Sequence, residues 1–247
     1  MIGIIGGSGL EDPKLLHNAK EVKIKTPFGK HSPIKKGKIN KVEVAILSRH
    51  GYKHEYSPTT VPYKANIWAL KKLGCRAIIA TSACGSLKEE IKPGTFSLPS
   101  QFLDRTHNRE QSYSEHGKVL HISMAEPFET EIKKILLKKC KTLGYNCSSE
   151  TTVVTIEGPR FSTKAESNFY RLLQCDLINM TTVPEVCLAK EIEIPYQVIN
   201  LVTDYDCWRD GTKAVSFEEV LKVMKKNAEK VKKLIVEALP EINKIYN

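Results

Sequence analysis

Short, almost uninterrupted apolar runs at residues 2–5, 42–48, 77–80, 151–156, 176–180 and 196–202 read as strands buried on both faces. Between them the apolar positions recur at helical spacing. Pro62 stands at a first-turn position, Ala65, Ile67, Trp68, Leu70 and Leu73 follow, and Gly74 stops the run, which predicts a helix. Further helices are predicted over 127–143, closed by Gly144, over 164–173 and over 184–191. Ser216 and Glu219 form a capping box. They open a long amphipathic helix with Val220, Leu221, Met224, Ala228, Val231, Leu234 and Ile235 on one face. Alternation of strands and helices predicts a single α/β domain over residues 1–247, with a mixed, mainly parallel sheet flanked by helices.

In such sheets, binding residues gather at the carboxyl ends of the strands. Ser8, Arg49, Ser82, Thr181 and Asp204 all fall at predicted strand ends. Ser8 lies in Gly6-Gly7-Ser8-Gly9, where backbone N–H groups and a hydroxyl suit a phosphate oxygen. The run is neither G-x-G-x-x-G nor a P-loop, and a plain tight turn explains it as well. Arg49 and His50 beside Gly51 make an anion grip, because a guanidinium fork matches phosphate oxygens. His50 and His54 are four apart, which invites a metal; Gly51 between them argues against the helix such a pair needs, and the expectation is no metal.

The run 196–202 ends at Thr203-Asp204-Tyr205-Asp206-Cys207-Trp208. If the extended backbone continues, Asp204 and Asp206 share a face. Close carboxylates do not both ionise cheaply, so one holds a proton and serves as an acid while the other accepts hydrogen bonds. An adenine edge is the matching partner: ring nitrogen N7 needs a proton if the base is to leave, and the 6-amino group donates. A surface turn with two solvated acids is the plainer alternative.

Composition narrows the classes. At 247 residues and 41% hydrophobic the chain can bury one substantial core. It has no basic leader and no apolar stretch of membrane length, so a cytoplasmic, soluble protein is expected. Seven scattered cysteines without a C-x-x-C pair read as buried thiols. A net charge of +10 raises a nucleic-acid partner. The lysines, however, cluster on 131–141 and 222–233 at helical spacing, as on solvated helix faces, and no nucleic-acid-binding motif accompanies them.

Ten segments, GIIGGSGL, TPFGKHSP, LSRHG, ANIWALKKLGC, SACGSL, QFLDRT, MAEPF, TVVTIEGPRFST, INMTTVPEVCLAKE and TDYDCW, resemble the trimeric purine nucleoside phosphorylase family, in its branch acting on S-methyl-5'-thioadenosine. The resemblance covers nearly the whole chain. It implies phosphorolysis of that nucleoside to adenine and 5-methylthioribose 1-phosphate, with inorganic phosphate as co-substrate, no metal or other cofactor, and a homotrimer. It implies a phosphate site of Ser8, Arg49, His50, Ser82, Ala83 through its N–H, and Thr181. Phe161, Asn179, Met180 and Thr203 would contact base and ribose, with Asp204 and Asp206 on the purine edge. His54, Phe217, Val220 and Leu221 would border the 5' substituent, and His121 would reach a neighbouring subunit's 5' pocket. Two departures bear on that pocket: Phe217 stands where the family has a smaller aliphatic, and many relatives extend beyond the position of Asn247. A broader phosphorylase acting on adenosine or inosine is the neighbouring expectation, a nucleoside hydrolase lacks its aspartate cluster here, and a basic nucleic-acid module is the alternative from another class.

Overall fold

The computed structural model describes residues 1–6, 16–114, 119–211 and 215–246. Among the described residues, eleven strands form one sheet, and the strand β5 (Ala77–Ser86) is its hub. On one edge it pairs in parallel with β11 (Tyr196–Asp204) along almost its whole length, from Tyr196 opposite Ile78 to Asp204 opposite Gly85. The other edge is shared. β1 (Ile2–Gly6) pairs there only as far as Ala80, and β10 (Leu177–Asn179) takes over at Gly85 and Ser86 in antiparallel sense. Between these two partners the sheet parts, and the site described below lies at that split.

Beyond β1 the sheet continues through β4 (Val42–Ser48) to the antiparallel strands β3 (Ile34–Ile39) and β2 (His17–Val22). Beyond β10 it continues through β9 (Thr152–Ile156) to β7 (Gln101–Arg105). The three-residue strands β6 (Phe96–Leu98) and β8 (Cys147–Ser149) extend it from β11. Parallel pairings outnumber antiparallel ones, as the alternation predicts. The strands 17–22, 34–39, 96–98, 101–105 and 147–149 escape sequence reading: β2 is exposed and polar along most of its length, so it has no apolar signature.

Side-chain alternation divides the core into two layers. On β11, Val198 and Val202 join one cluster with helices α1 (Tyr63–Lys72) and α4 (Thr182–Glu191). Ile199 and Leu201 join the other, with α2 (Thr130–Thr142) and α5 (Phe217–Ile245). The helix α3 (Lys164–Leu172) covers β9 and β10; Thr163 and Glu166 at its start form a complete capping box.

Several expectations shift in detail. Pro62 caps α1 rather than opening it, and α2 begins at Thr130. At α5 the Ser216 hydroxyl accepts from the Glu219 N–H at 3.3 Å, the first half of the expected capping box. The expected apolar face of α5 begins at Val220, but its buried stripe starts only at Asn227, because Phe217, Val220, Leu221 and Met224 line a cavity instead of the core. Cys147, Cys187 and Cys207 are partly exposed. Lysines of α2 and α5 project outward and several meet acids: Lys138 and Lys139 reach Glu241, and Lys133 reaches Glu150. Among the described residues, no helix is long and apolar enough to cross a membrane.

Candidate active site

A cavity of about 270 Å³ opens at the split in the sheet. Arg49, His50, His54, Ser82, Ala83, Phe161, Asn179, Met180, Thr181, Thr203, Asp204, Asp206, Phe217, Val220 and Leu221 all line it. Of the other expected residues, Ser8 lies outside the described residues, and His121 is exposed and does not line this cavity. Ser82 is not at a strand end: β5 runs four residues further, and the parting of β1 from β5 is what opens Ser82 to the cavity.

One end of the cavity is built for an anion. Arg49 follows β4 and its side chain is buried. Its Nε and Nη2 donate to the two carboxylate oxygens of Glu185 at 2.5 and 2.9 Å, and Nη1 donates to the Thr81 carbonyl at 2.7 Å. Three of five N–H groups are thus used and two remain. Burial opposes the charge, but Glu185 more than restores it, so the Arg49 pKa is raised and the cation persists. Tyr196 Oη also donates to Glu185, at 2.8 Å. Glu185 is a partner that sequence reasoning missed, 136 residues away in the chain; its place beside the 181–182 turn was the only hint.

His50 adds a neutral group. Burial, and then the nearby Arg49 charge, push its pKa down to about 4. Its Nδ1 lies 2.9 Å from the Tyr56 carbonyl, which only accepts, so Nδ1 carries the hydrogen and Nε2 is bare. The hydroxyls of Ser82 and Thr181 meet at 3.1 Å. Thr181 precedes α4 without capping it through its side chain, which leaves its hydroxyl to Ser82 and the cavity; Val183 is non-helical, so regular helix follows only from Pro184. Among the described residues, no three His, Cys, Asp or Glu side chains converge to hold a metal. The rings of His50 and His54 stack at 4.5 Å.

At the other end lie the two carboxyls, brought together by a route other than the one expected. The strand ends at Asp204, the register with β5 shifts between Val202 and Asp204, and Asp206 adopts a left-handed φ of 50°. Its N–H donates to Asp204 Oδ1 at 2.7 Å. An Asx turn, not strand alternation, therefore aims both acids at the cavity. Burial raises both pKa values; the Thr203 hydroxyl and the Asp206 N–H, which donate to Asp204, and the polar groups of Ser167 and Cys207 near Asp206 oppose the rise without cancelling it. Space for Asp204 exists because residue 85 is glycine: a Cβ there would stand 2.9 Å from Asp204 Oδ1.

The remaining walls are mostly apolar, with Asn179 satisfied internally and the Ser162 hydroxyl left without a partner among the described residues. Asn179 accepts from Thr155 at 3.0 Å and donates to Thr182 at 2.7 Å and Asn200 at 3.2 Å, so both its N–H groups are used within the protein. Phe217 packs on His54 at 5.5 Å between ring centres, and Met224 joins Val220 and Leu221 along the same wall. Pro58 and Ser162, unnoticed in the sequence, also line the cavity.

A cavity with an anion end and an acid end on a split, mainly parallel sheet defines a group-transfer site of the nucleoside phosphorylase kind. The sequence profile of the Phosphorylase superfamily matches residues 1–240, and the chain belongs to that superfamily. It is 51% identical to the S-methyl-5'-thioadenosine phosphorylase of Xenopus tropicalis over 98% of this chain and 88% of that one. Methylthioadenosine phosphorylase from Schistosoma mansoni, solved in complex with adenine, has a TM-score of 0.93 at 39% identity, covering 98% and 91% of the two chains. A variant of the adenosine/methylthioadenosine phosphorylase from the same organism, in complex with methylthioadenosine, has a TM-score of 0.91 at 39% identity, with the same shares covered.

Proposed function

We propose that the chain catalyses phosphorolysis of S-methyl-5'-thioadenosine, giving adenine and 5-methylthioribose 1-phosphate. The observation that carries this reading is the pairing, in one cavity, of a partly buried and a buried carboxyl, both with raised pKa, and a cluster of anion donors. Asp204, protonated, donates to N7 as the glycosidic bond breaks; Asp206 accepts from the 6-amino group. Thr203 Oγ1 is 2.7 Å from Asp204 Oδ2 and 3.2 Å from the Cys84 carbonyl, and its single hydrogen serves one of them. The shorter contact takes it, so Thr203 donates to Asp204 Oδ2 and orients that carboxyl, while burial raises its pKa.

Phosphate sits against Arg49, Ser82, Ala83 and Thr181, with Ser8 as a further donor. The bare Nε2 of His50 accepts from a protonated phosphate oxygen or a ribose hydroxyl. Holding the anion at the anomeric carbon removes much of the entropic barrier to attack. Inorganic phosphate is a co-substrate, and the chemistry calls for no metal or organic cofactor. Phe161, Met180, Asn179 and Thr203 flank base and ribose, while His54, Phe217, Val220 and Leu221 receive the 5' substituent. The enzyme works as a cytoplasmic homotrimer in purine and methionine salvage, with His121 reaching the neighbouring site.

A second reading, equal use of adenosine, is favoured by the aromatic wall at Phe217, which lies half exposed on His54 and narrows the 5' end. The test is base release from methylthioadenosine, adenosine and inosine, each with and without phosphate. Phosphate-dependent adenine release, fastest from methylthioadenosine, is expected. Release independent of phosphate would overturn the assignment.

A further inference from the structure

The long polar connection between β7 and α2 carries a side chain that the mechanism above does not use. Arg109 has a fully buried side chain although it lies in a segment without regular structure. Its Nη1 donates to the carbonyls of Met180 at 2.7 Å and Val183 at 2.6 Å. Nη2 donates to the carbonyls of Glu157 at 2.5 Å and Ile156 at 3.4 Å, and Nε to the Glu157 carboxylate at 3.3 Å. All five N–H groups are spent on the protein, so none is left for a ligand.

The positions of those carbonyls are informative. Ile156 ends β9, and Glu157 follows it on the way to Phe161 and Ser162, one wall of the cavity. Met180 and Val183 bracket Thr181, whose hydroxyl meets Ser82 at the anion end. A single planar fork thus spans two walls that no strand pairing joins beyond Asn179 opposite Thr155. Its charge is balanced within the cluster. Glu157 also accepts from Thr59 at 2.7 Å and from the N–H groups of His107 and Asn108 at 2.7 and 3.1 Å. Burial would raise its pKa, but these bonds and Arg109 bring it down to about 2.

We propose that Arg109 is a positioning residue for the phosphate half of the reaction: by tying the carbonyls of residues 180 and 183 to those of 156 and 157, it sets where Thr181 stands relative to the base wall. The inference rests on the phosphorolysis reading. A lysine at 109 keeps the charge but, as a point donor with three N–H groups, cannot bridge both carbonyl pairs in one plane.

The test compares Arg109→Lys and Arg109→Ala with the parent enzyme in phosphate-dependent adenine release. Thermal unfolding is followed for each, and rates are expressed per folded molecule. Misplacement of Thr181 is expected to raise the phosphate KM by about 10- to 100-fold, with a smaller change in the nucleoside KM, in both variants. Added guanidinium at sub-denaturing concentration should restore a large part of the loss in Arg109→Ala and none in Arg109→Lys, where the ammonium fills the slot. A loss confined to the folded fraction, with both KM values within about twofold of the parent, would overturn the inference and leave the phosphorolysis reading standing. Absence of phosphate-dependent release in the parent enzyme would instead sink that reading.

Discussion

The two ends of the cavity handle buried charge in opposite ways. At the anion end each cation has its counter-ion built in: Arg49 is gripped by Glu185, and Arg109 lies against Glu157. His50 is kept neutral beside them. At the acid end, the partly buried Asp204 and the buried Asp206 have hydroxyl and N–H donors around them but, among the described residues, no paired cation. Pairing lets a charge survive burial, while withholding a counter-ion makes a carboxyl retain its proton. The difference suits one end to receiving an anion on fixed donors and the other to giving up a proton.

The largest effect is expected on removing the acid. Asp204→Asn should slow adenine release by about 10²- to 10⁴-fold, measured at saturating phosphate, with a gain on inosine because the amide can donate to a 6-oxo group. Unchanged adenine release would remove Asp204 from the chemistry. Stability should move the other way. The folded-state pKa of Asp204 lies above its ordinary 3.8, so the native state holds the proton longer than the unfolded chain. Its stabilising contribution is therefore full below that ordinary value and is lost as pH rises through the raised pKa. Asn does not titrate, so urea unfolding should find the variant's relative stability increasing with pH over that window.

At the anion end the same logic predicts damage of a different kind. Glu185→Ala leaves the buried Arg49 without its partner and should cost about 3–5 kcal/mol of stability by denaturant titration. A loss below about 1 kcal/mol would mean that the pair behaves as a surface salt bridge does. Gly85→Ala is intermediate. The added methyl meets Asp204 Oδ1 at 2.9 Å and Ile178 Cγ2 at 3.1 Å, so a loss of about 1–3 kcal/mol should come with slower turnover. Normal kinetics in that variant would show that Asp204 can shift freely. The smallest signal is spectroscopic: nitrogen NMR of His50 should report a neutral ring with the hydrogen on Nδ1 between pH 6 and 8, given a pKa of about 4. A titration near 6.5 would contradict the desolvated environment. Because that pKa is lowered, the contribution of His50 to stability is present above pH 6.5 and fades as pH falls through 4.

These comparisons also show what could be read in advance. Strands β1, β4, β9, β10 and β11 were legible because both faces are buried and the apolar runs are unbroken. Of β5 only the first half was legible: Thr81 to Ser86 continue the strand with small polar residues that resemble a loop. The acids Asp204 and Asp206 were legible by spacing, but the geometry that joins them is an Asx turn, which depends on a left-handed residue that spacing does not reveal. Arg109, Glu157 and Glu185 were not found at all. Their contacts join segments 48 to 136 residues apart, and no local periodicity encodes a buried ion pair.

The account turns on one cavity holding a purine at its acid end and an anion at its donor end. Crystals grown with adenine and phosphate test this most directly. The account predicts N7 and the 6-amino group within hydrogen-bond distance, about 2.6–3.2 Å, of Asp204 and Asp206, and phosphate on Arg49, Ser82 and Thr181. Adenine bound away from the two aspartates, or phosphate held outside the split between β1 and β10, would contradict it.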